Sequence, residues 1–255
     1  MLRLLAGLLL VLAAASTWGC ELRMRWNDDP PYLMRDADGR VTGLHAELVG
    51  ATVQRMGCRL QWVEMPWARA LRELEAGHID ILAGGLKLPE REAYAHFLPQ
   101  HFVSRNRLYV REALQPRMKA ARRLDDAFAE GLRLGVQLGV QLGVAYGPDY
   151  LRLLEQPAFR ALLTQSGSRC SLWQMLAIGR VDGVIASEAS ARWELAEAGL
   201  QGQVRPTAVV VSADEAFVML SRRSVDAALL RRFREADEAL ARDGSHARTV
   251  ARYLD

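Results

Sequence analysis

A few side chains in this 255-residue sequence have the type and setting to do chemistry. Arg91 lies in the turn-like run Pro89-Glu90-Arg91-Glu92. A guanidinium there offers a planar fork that matches both oxygens of a carboxylate. On spacing alone, Arg91 could equally pair at the surface with Glu90 or Glu92. Trp67 follows Pro66 where a helix should begin, and its flat face suits an apolar portion or a cation of a ligand. It also falls on the apolar stripe of Leu71 and Leu74, the position of a core tryptophan. Asp28, Asp29 and Tyr32 belong to the loop NDDPPY after an apolar strand. Loops at the carboxyl ends of strands face the ligand crevice in open α/β sheets, so a carboxylate here could hold an ammonium. Aspartates in such loops also cap backbone N–H groups, and Tyr32 could plug the core. Gly84 and Gly85 remove the side chains that would keep a ligand from the backbone amides.

No Ser–His–Asp or Cys–His pattern is visible, and the five histidines are scattered. His78, at a helix end, reads as structural. No cysteine or histidine spacing resembles a zinc site, and no cofactor is implied. The carboxylates open to acid–base work are Glu188, Asp28 and Asp29.

The elements that must position these groups repeat. Leu71 to Gly84 reads LRELEAGHIDILAG, and Trp173 to Ala186 reads WQMLAIGRVDGVIA. Leu74 falls on Leu176, Gly77 on Gly179, Ile79 on Val181 and Asp80 on Asp182. Each copy is the end of an amphipathic helix, a glycine suited to the left-handed cap, and an apolar run suited to a buried parallel strand. Two such units imply two similar lobes and a ligand cleft between them. Strands are expected at Glu21–Trp26, Arg59–Glu64, Ile79–Ala83, Arg105–Ala113, Val181–Ala186, Pro206–Val211 and Glu215–Leu220. Helices are expected at Leu44–Met56, after Pro66, around Leu124–Ala129 ending at Gly131, at Tyr150–Leu154, at Trp173–Ile178 and at Ala189–Ala198. From Val225 to Leu254 the chain reads as helix broken near Gly244. The tetrapeptide GVQL occurs twice in tandem, at Gly135 and Gly139, and either lengthens a strand or bulges from it. Alternating helices and apolar strands argue for a mainly parallel sheet in each lobe.

Arg3 followed by the apolar run Leu4 to Ala15 and the small residues Ala13 to Ser16 reads as a secretory signal, too short to span a bilayer. A protein so addressed is exported and periplasmic. Lipid attachment at Cys20 is disfavoured, because Thr17 and Trp18 stand where a lipidation motif wants an aliphatic and a small residue. The charge of +3, with arginines and acids interspersed, does not form a nucleic-acid patch. Export favours disulfides. Cys20 and Cys58 open two strands joined by one helix, which places both at one sheet edge and predicts a Cys20–Cys58 disulfide. Cys170 is left as a buried free thiol.

The pieces WNDDPPY, DADGRVTGLHAELV, PWARALRELEAGHIDILAG, PERE with AYAHF, LGVAYG and GRVDGVI stand in this order over most of the chain. Their order resembles the family-three extracellular solute-binding proteins, the periplasmic receptors of polar amino-acid importers. The resemblance implies an α/β, two-lobed periplasmic-binding-protein-like fold, each lobe a mainly parallel sheet flanked by helices, joined by a two-strand hinge. The organisation read from it is a signal peptide at 1–19, lobe I at 20–109 plus 216–255, and lobe II at 110–215. It implies that Arg91 holds a ligand carboxylate and that Trp67 packs on the ligand. Near Gly84 and Gly85, where such receptors often carry serine hydroxyls, Lys87 is the polar neighbour. In the loop GVAYG the usual threonine or serine is replaced by Val144 and Ala145, leaving backbone amides and Tyr146. Ser187 stands where the ammonium-pairing aspartate is usual, with Glu188 next. The function implied is capture of a small carboxylated solute by a monomer that delivers it to the membrane permease of an ABC importer. The rivals are a dehydratase acting on cyclohexadienyl acids and a ligand sensor of a signalling system.

Overall fold

Apolar strands and amphipathic helices alternate along the chain, and the computed structural model, which describes residues 20–134 and 138–254, assembles them in that order. The expected signal peptide and most of the first GVQL copy lie outside the described residues. The elements are β1 (Glu21–Trp26), β2 (Met34–Arg35), β3 (Val41–Thr42), α1 (Leu44–Arg55), β4 (Arg59–Glu64), α2 (Trp67–Ala76), β5 (Ile81–Gly85), α3 (Pro89–Glu92) and β6 (Ala95–Arg111). There follow α4 (Gln115–Met118), α5 (Leu124–Leu134), β7 (Leu138–Gln141), α6 (Pro148–Leu154), α7 (Pro157–Ala161), β8 (Leu163–Ser166), α8 (Arg169–Ala177) and β9 (Gly183–Ser187). The chain ends with α9 (Glu188–Glu197), β10 (Val204–Ser221), α10 (Ala227–Arg242) and α11 (Ser245–Leu254).

The main sheet has the order β4-β1-β5-β10-β6-β9-β7-β8. Pairings of β1 with β4 and β5, and of β7 with β8 and β9, are parallel. The two longest strands, β6 and β10, run antiparallel from Ser221↔Ala95 to Val204↔Arg111. β5 pairs with one end of β10, at Phe217–Leu220, and β9 with the opposite end of β6, at Asn106–Val110. One two-strand ladder therefore carries a parallel sheet at each end. Apolar burial follows the same division. Leu22, Met24, Val49, Ile81, Leu98, Val218 and Phe233 share one core, and Leu108, Val140, Leu153, Phe159, Ile185 and Val209 another. The expected strands Pro206–Val211 and Glu215–Leu220 are one continuous strand, β10. Its polar middle, Ser212 to Asp214, keeps pairing with β6 and so gives no break. The expected helix stop at Gly131 is also corrected, since α5 continues to Leu134.

The repeated unit has one physical design. Gly77 and Gly179 take φ +77° and +78° after their helices, a conformation that costs glycine little. Leu74, Leu176 and Val181 are fully buried and Ile79 nearly so. Arg23 donates to both oxygens of Asp80, from Nε at 3.0 Å and Nη2 at 2.8 Å, and from Nη2 to Gly77 O at 2.9 Å. In the second copy Arg111 reaches Asp182 Oδ1 at 2.8 Å, Leu176 O at 2.9 Å and Val181 O at 2.7 Å. The paired aspartates are structural anchors for the strand that follows each helix.

Glu21 pairs with Arg59 in the β1–β4 ladder, so the residues just before the two strands lie side by side. Cys20 and Cys58 are joined there, with a Cα–Cα distance of 4.7 Å and a sequence separation of 38. Cys170, in contrast to the expectation, is exposed on the first turn of α8. Closing a loop of this length should stabilise the fold by about 2–4 kcal/mol. Replacing both cysteines by alanine should lower the thermal midpoint by roughly 4–16 °C, read by scanning calorimetry. A midpoint within a degree of the wild type would show that the bond constrains nothing.

Candidate functional site

The carboxyl ends of β1 and β5 open toward the β6–β10 crossing, where strand-end loops and helix starts leave a cavity of about 120 Å³. Its walls come from both ends of the ladder. Of the residues singled out in the sequence, Arg91, Trp67, Tyr32, Gly84, Gly85, Tyr146 and Ser187 line it. Asp28 and Lys87 do not. Asp28 is exposed while its neighbour Asp29 turns inward, and Lys87 ion-pairs with Glu92 at 3.0 Å on the surface.

Arg91 comes from α3, a single turn opened by Pro89. Only 7 % of it is exposed. Among the described residues its one side-chain hydrogen bond is from Nη1 to Leu86 O at 3.3 Å, and it forms no ion pair. Burial pulls its pKa below the usual arginine value, and the nearby Tyr94 and Glu90 only partly offset the effect. A second such cation was missed in the sequence. Arg25, near the carboxyl end of β1, is 4 % exposed, donates from Nε to Met65 O at 3.1 Å, and sits 5.5 Å from the ring centre of Trp67. Burial lowers its pKa to about 10, which still leaves it charged at neutral pH. Little in the sequence signalled it, because Arg23, two residues earlier on the same strand, binds Asp80 and Gly77 O rather than entering the cleft.

Asp29 is engaged. Its Oδ1 accepts from Arg169 Nη2 at 2.5 Å and from Ser190 Oγ at 3.2 Å. Arg169 also grips Glu194, from Nε to Oε2 at 2.8 Å and from Nη2 to Oε1 at 2.6 Å, and Trp173 Nε1 donates to the same carboxylate at 2.6 Å. Arg169, beside Asp29, holds the Asp29 carboxyl below the usual aspartate range despite burial. Neither Arg169 nor Glu194 carried a sequence signal, because α8 and α9 converge only in the fold. Glu188 pairs with Arg107 at 3.0 Å and does not line the cavity. Arg69 is exposed and pairs with Glu73.

One wall is aromatic. Tyr32 stacks on His45 at 4.9 Å and faces Phe102 at 6.1 Å, and its hydroxyl meets Ser187 Oγ at 2.9 Å. His45 is fully enclosed, its pKa lowered to about 4 by burial, so the imidazole is neutral near pH 7. Gln100 links His45 Nδ1, at 3.1 Å, to the Gly84 N–H, at 2.9 Å. The Gly84 amide is therefore occupied within the protein. Tyr146 is 3 % exposed, and its hydroxyl accepts from the Gln141 N–H at 2.9 Å, so it walls the cavity from the core side. Asp214 and Glu215, at the β6–β10 crossing, supply the opposite charge, and Asp214 Oδ2 is buried without a hydrogen-bond partner.

Among the described residues, the cleft thus holds two buried guanidiniums that form no ion pair and a buried carboxylate oxygen with no hydrogen-bond partner. Such a site can take a small ligand bearing both an anionic and a cationic end. Among the described residues, no helix is long and apolar enough to cross a membrane.

Solved structures share this architecture. A histidine kinase sensor domain similar to periplasmic binding proteins superposes with a TM-score of 0.78 at 21 % identity, covering 92 % of this chain and 96 % of that one. An ancestral arginine-binding protein bound to arginine gives 0.76 at 20 % identity, covering 92 % and 98 %. The substrate-binding protein of an amino acid ABC transporter gives 0.73 at 17 % identity, covering 92 % and 99 %. At these identities the likeness is one of fold. Among curated proteins, none matches this sequence. The family model for bacterial extracellular solute-binding proteins, family 3, matches residues 22–255, and the chain belongs to that family.

Proposed function

We propose that this protein captures a small carboxylated polar solute, an amino acid or a close relative, between two lobes and delivers it to the membrane permease of an ABC importer from the periplasm. The observation that carries the reading is Arg91, a buried guanidinium lining the cleft with Leu86 O as its hydrogen-bond partner. Burying an unpaired cation is costly unless a counter-charge arrives, and a carboxylate meets that need with two parallel hydrogen bonds. Arg25, Trp67 and Tyr32 complete that side, and Asp214 faces the ligand's ammonium. The lobes, 20–109 plus 216–255 and 110–215, close by bending where β6 and β10 cross. The similarity to an amino acid ABC transporter's binding protein supports the importer.

Catalysis finds less support than binding. Asp29 is consumed by Arg169 and Ser190, Glu188 by Arg107, and Asp28 lies outside the cavity, so none of these acids is poised over a substrate.

The test is a thermal-shift screen of the purified mature protein against the amino acids and small organic acids. A ligand at a hundred times its Kd stabilises by about 2.7 kcal/mol, which should raise the midpoint by roughly 5–10 °C. Incubation with prephenate or arogenate should yield no aromatic product. No shift with any carboxylated compound, or turnover of either acid, would overturn the proposal.

A further inference from the structure

Behind the aromatic wall of the cleft, side chains from three elements converge. His101 on β6, Asp237 on α10 and His246 on α11 each offer one ligand atom, and these atoms lie within 4.8 Å of one another. We propose that His101, Asp237 and His246 form a binding site for one divalent transition-metal ion of the zinc class.

The distances favour coordination over hydrogen bonding. His101 Nε2 lies 3.6 Å from Asp237 Oδ2, and His246 Nε2 lies 3.6 Å from Asp237 Oδ1. Both are too long for a good hydrogen bond. Two ligand atoms each 2.0–2.1 Å from a tetrahedral zinc stand about 3.3 Å apart. The two imidazoles approach different oxygens of Asp237, and one ligand atom from each residue, already within 4.8 Å of the others, draws closer when a single ion binds all three. His246 gives the strongest reason. Its side chain is 5 % exposed, and neither ring nitrogen has a hydrogen-bond partner. Buried polar atoms are normally satisfied, and an ion satisfies the Nε2 that points at Asp237.

The backbone supplies a second, independent reason. His101 is the sole non-glycine residue with positive φ among the described residues, at +59°. It sits where β6 bulges: Val103 pairs with Glu215 and Pro99 with Phe217, so β6 spends two extra residues there. A histidine held in the left-handed region marks a local requirement. The bulge sends Gln100 to His45 and Phe102 to the cleft wall, and leaves His101 to Asp237. Thr52 Oγ1 donates to Asp237 Oδ1 at 3.2 Å, the kind of outer contact that orients a ligating carboxylate. His101 is 40 % exposed, so an ion can enter and water can fill the fourth position. Two imidazoles and one carboxylate suit zinc, cobalt and nickel better than calcium or magnesium. No zinc spacing shows along the chain because the ligands reside on three separate elements.

The experiment uses untagged protein stripped with chelator and desalted, titrated with zinc chloride. Wild type should bind about one zinc per chain and melt several degrees higher with zinc, reversibly on chelation. His101→Asn removes one ligand while keeping a residue that tolerates the left-handed backbone. It should leave the metal-free midpoint in place and weaken zinc binding by roughly tenfold or more. Cobalt(II) on the wild type should give the visible bands of a four-coordinate site, bleached by zinc. Absence of stoichiometric zinc on the wild type, or equal zinc affinity in His101→Asn, would overturn the site.

Discussion

Replacing Arg91 by alanine should raise the Kd for the best ligand from the screen by roughly 30- to 4,000-fold, the equivalent of the 2–5 kcal/mol lost when one partner of a buried charge pair is truncated. At a ligand concentration a hundred times the wild-type Kd, the ligand-induced rise in melting temperature then falls to about a third of its wild-type size at the low end of this range and to nearly nothing at the high end. The ligand-free protein should behave differently. The Arg91 side chain is buried with a single hydrogen bond among the described residues, to Leu86 O, and its removal relieves a desolvated cation rather than orphaning a carboxylate. The ligand-free midpoint should therefore hold or rise slightly. Arg91→Lys keeps the charge but loses the two-pronged geometry and should fall between alanine and wild type. Calorimetric titration reads all three proteins. A wild-type Kd in Arg91→Ala would remove the carboxylate anchor from the proposal.

Arg169→Met should produce the largest loss of stability, about 3–5 kcal/mol, because it strands two largely buried acids at once. Asp29 and Glu194 both depend on the same guanidinium, and the Arg169 side chain is 10 % exposed. For a chain of this size the midpoint should drop by roughly 6–20 °C. The loss has a structural address as well. Asp29 follows β1, while Arg169 and Glu194 lie on α8 and α9, packed beside β7 and β9. The ion pair is thus a latch across the cleft, and its removal should also weaken closure on the ligand. Combining Arg169→Met with Asp29→Asn and Glu194→Gln removes the stranded charges and should recover part of the stability. A single-variant drop below about 2 °C would mean that water already screens the network.

Much of the fold was legible because its signals are local. The helix–glycine–aspartate–strand unit repeats with the same spacing, and both copies form with left-handed glycines at 77 and 179, each strand starting two residues later than the sequence reading placed it. The Cys20–Cys58 bond followed from a strand–helix–strand path that leaves little freedom in where the strand starts lie. The continuous β10 was not legible. Its polar middle looks like a loop in sequence, and the pairing that makes it strand comes from β6, about a hundred residues away.

The cleft divides the same way. Arg91, Trp67 and Tyr32 could be named because strand-end loops and helix starts are written in short runs of sequence, and such runs decide which residues stand near a crevice. Which of them face it was settled by packing. Asp29 turns inward and Asp28 outward, Lys87 finds Glu92, and Glu188 finds Arg107. Arg169 reaches Asp29 across 140 residues, and His246 reaches Asp237 across a helix break. The sequence by itself determined most of the secondary elements and the doubled α/β plan, because these rest on periodicity and backbone preference. Only the tertiary structure decided which charges are paired, which are left open to a ligand and where imidazoles and a carboxylate meet. Coulombic and coordination chemistry act through distances in space, which spacing along the chain does not encode.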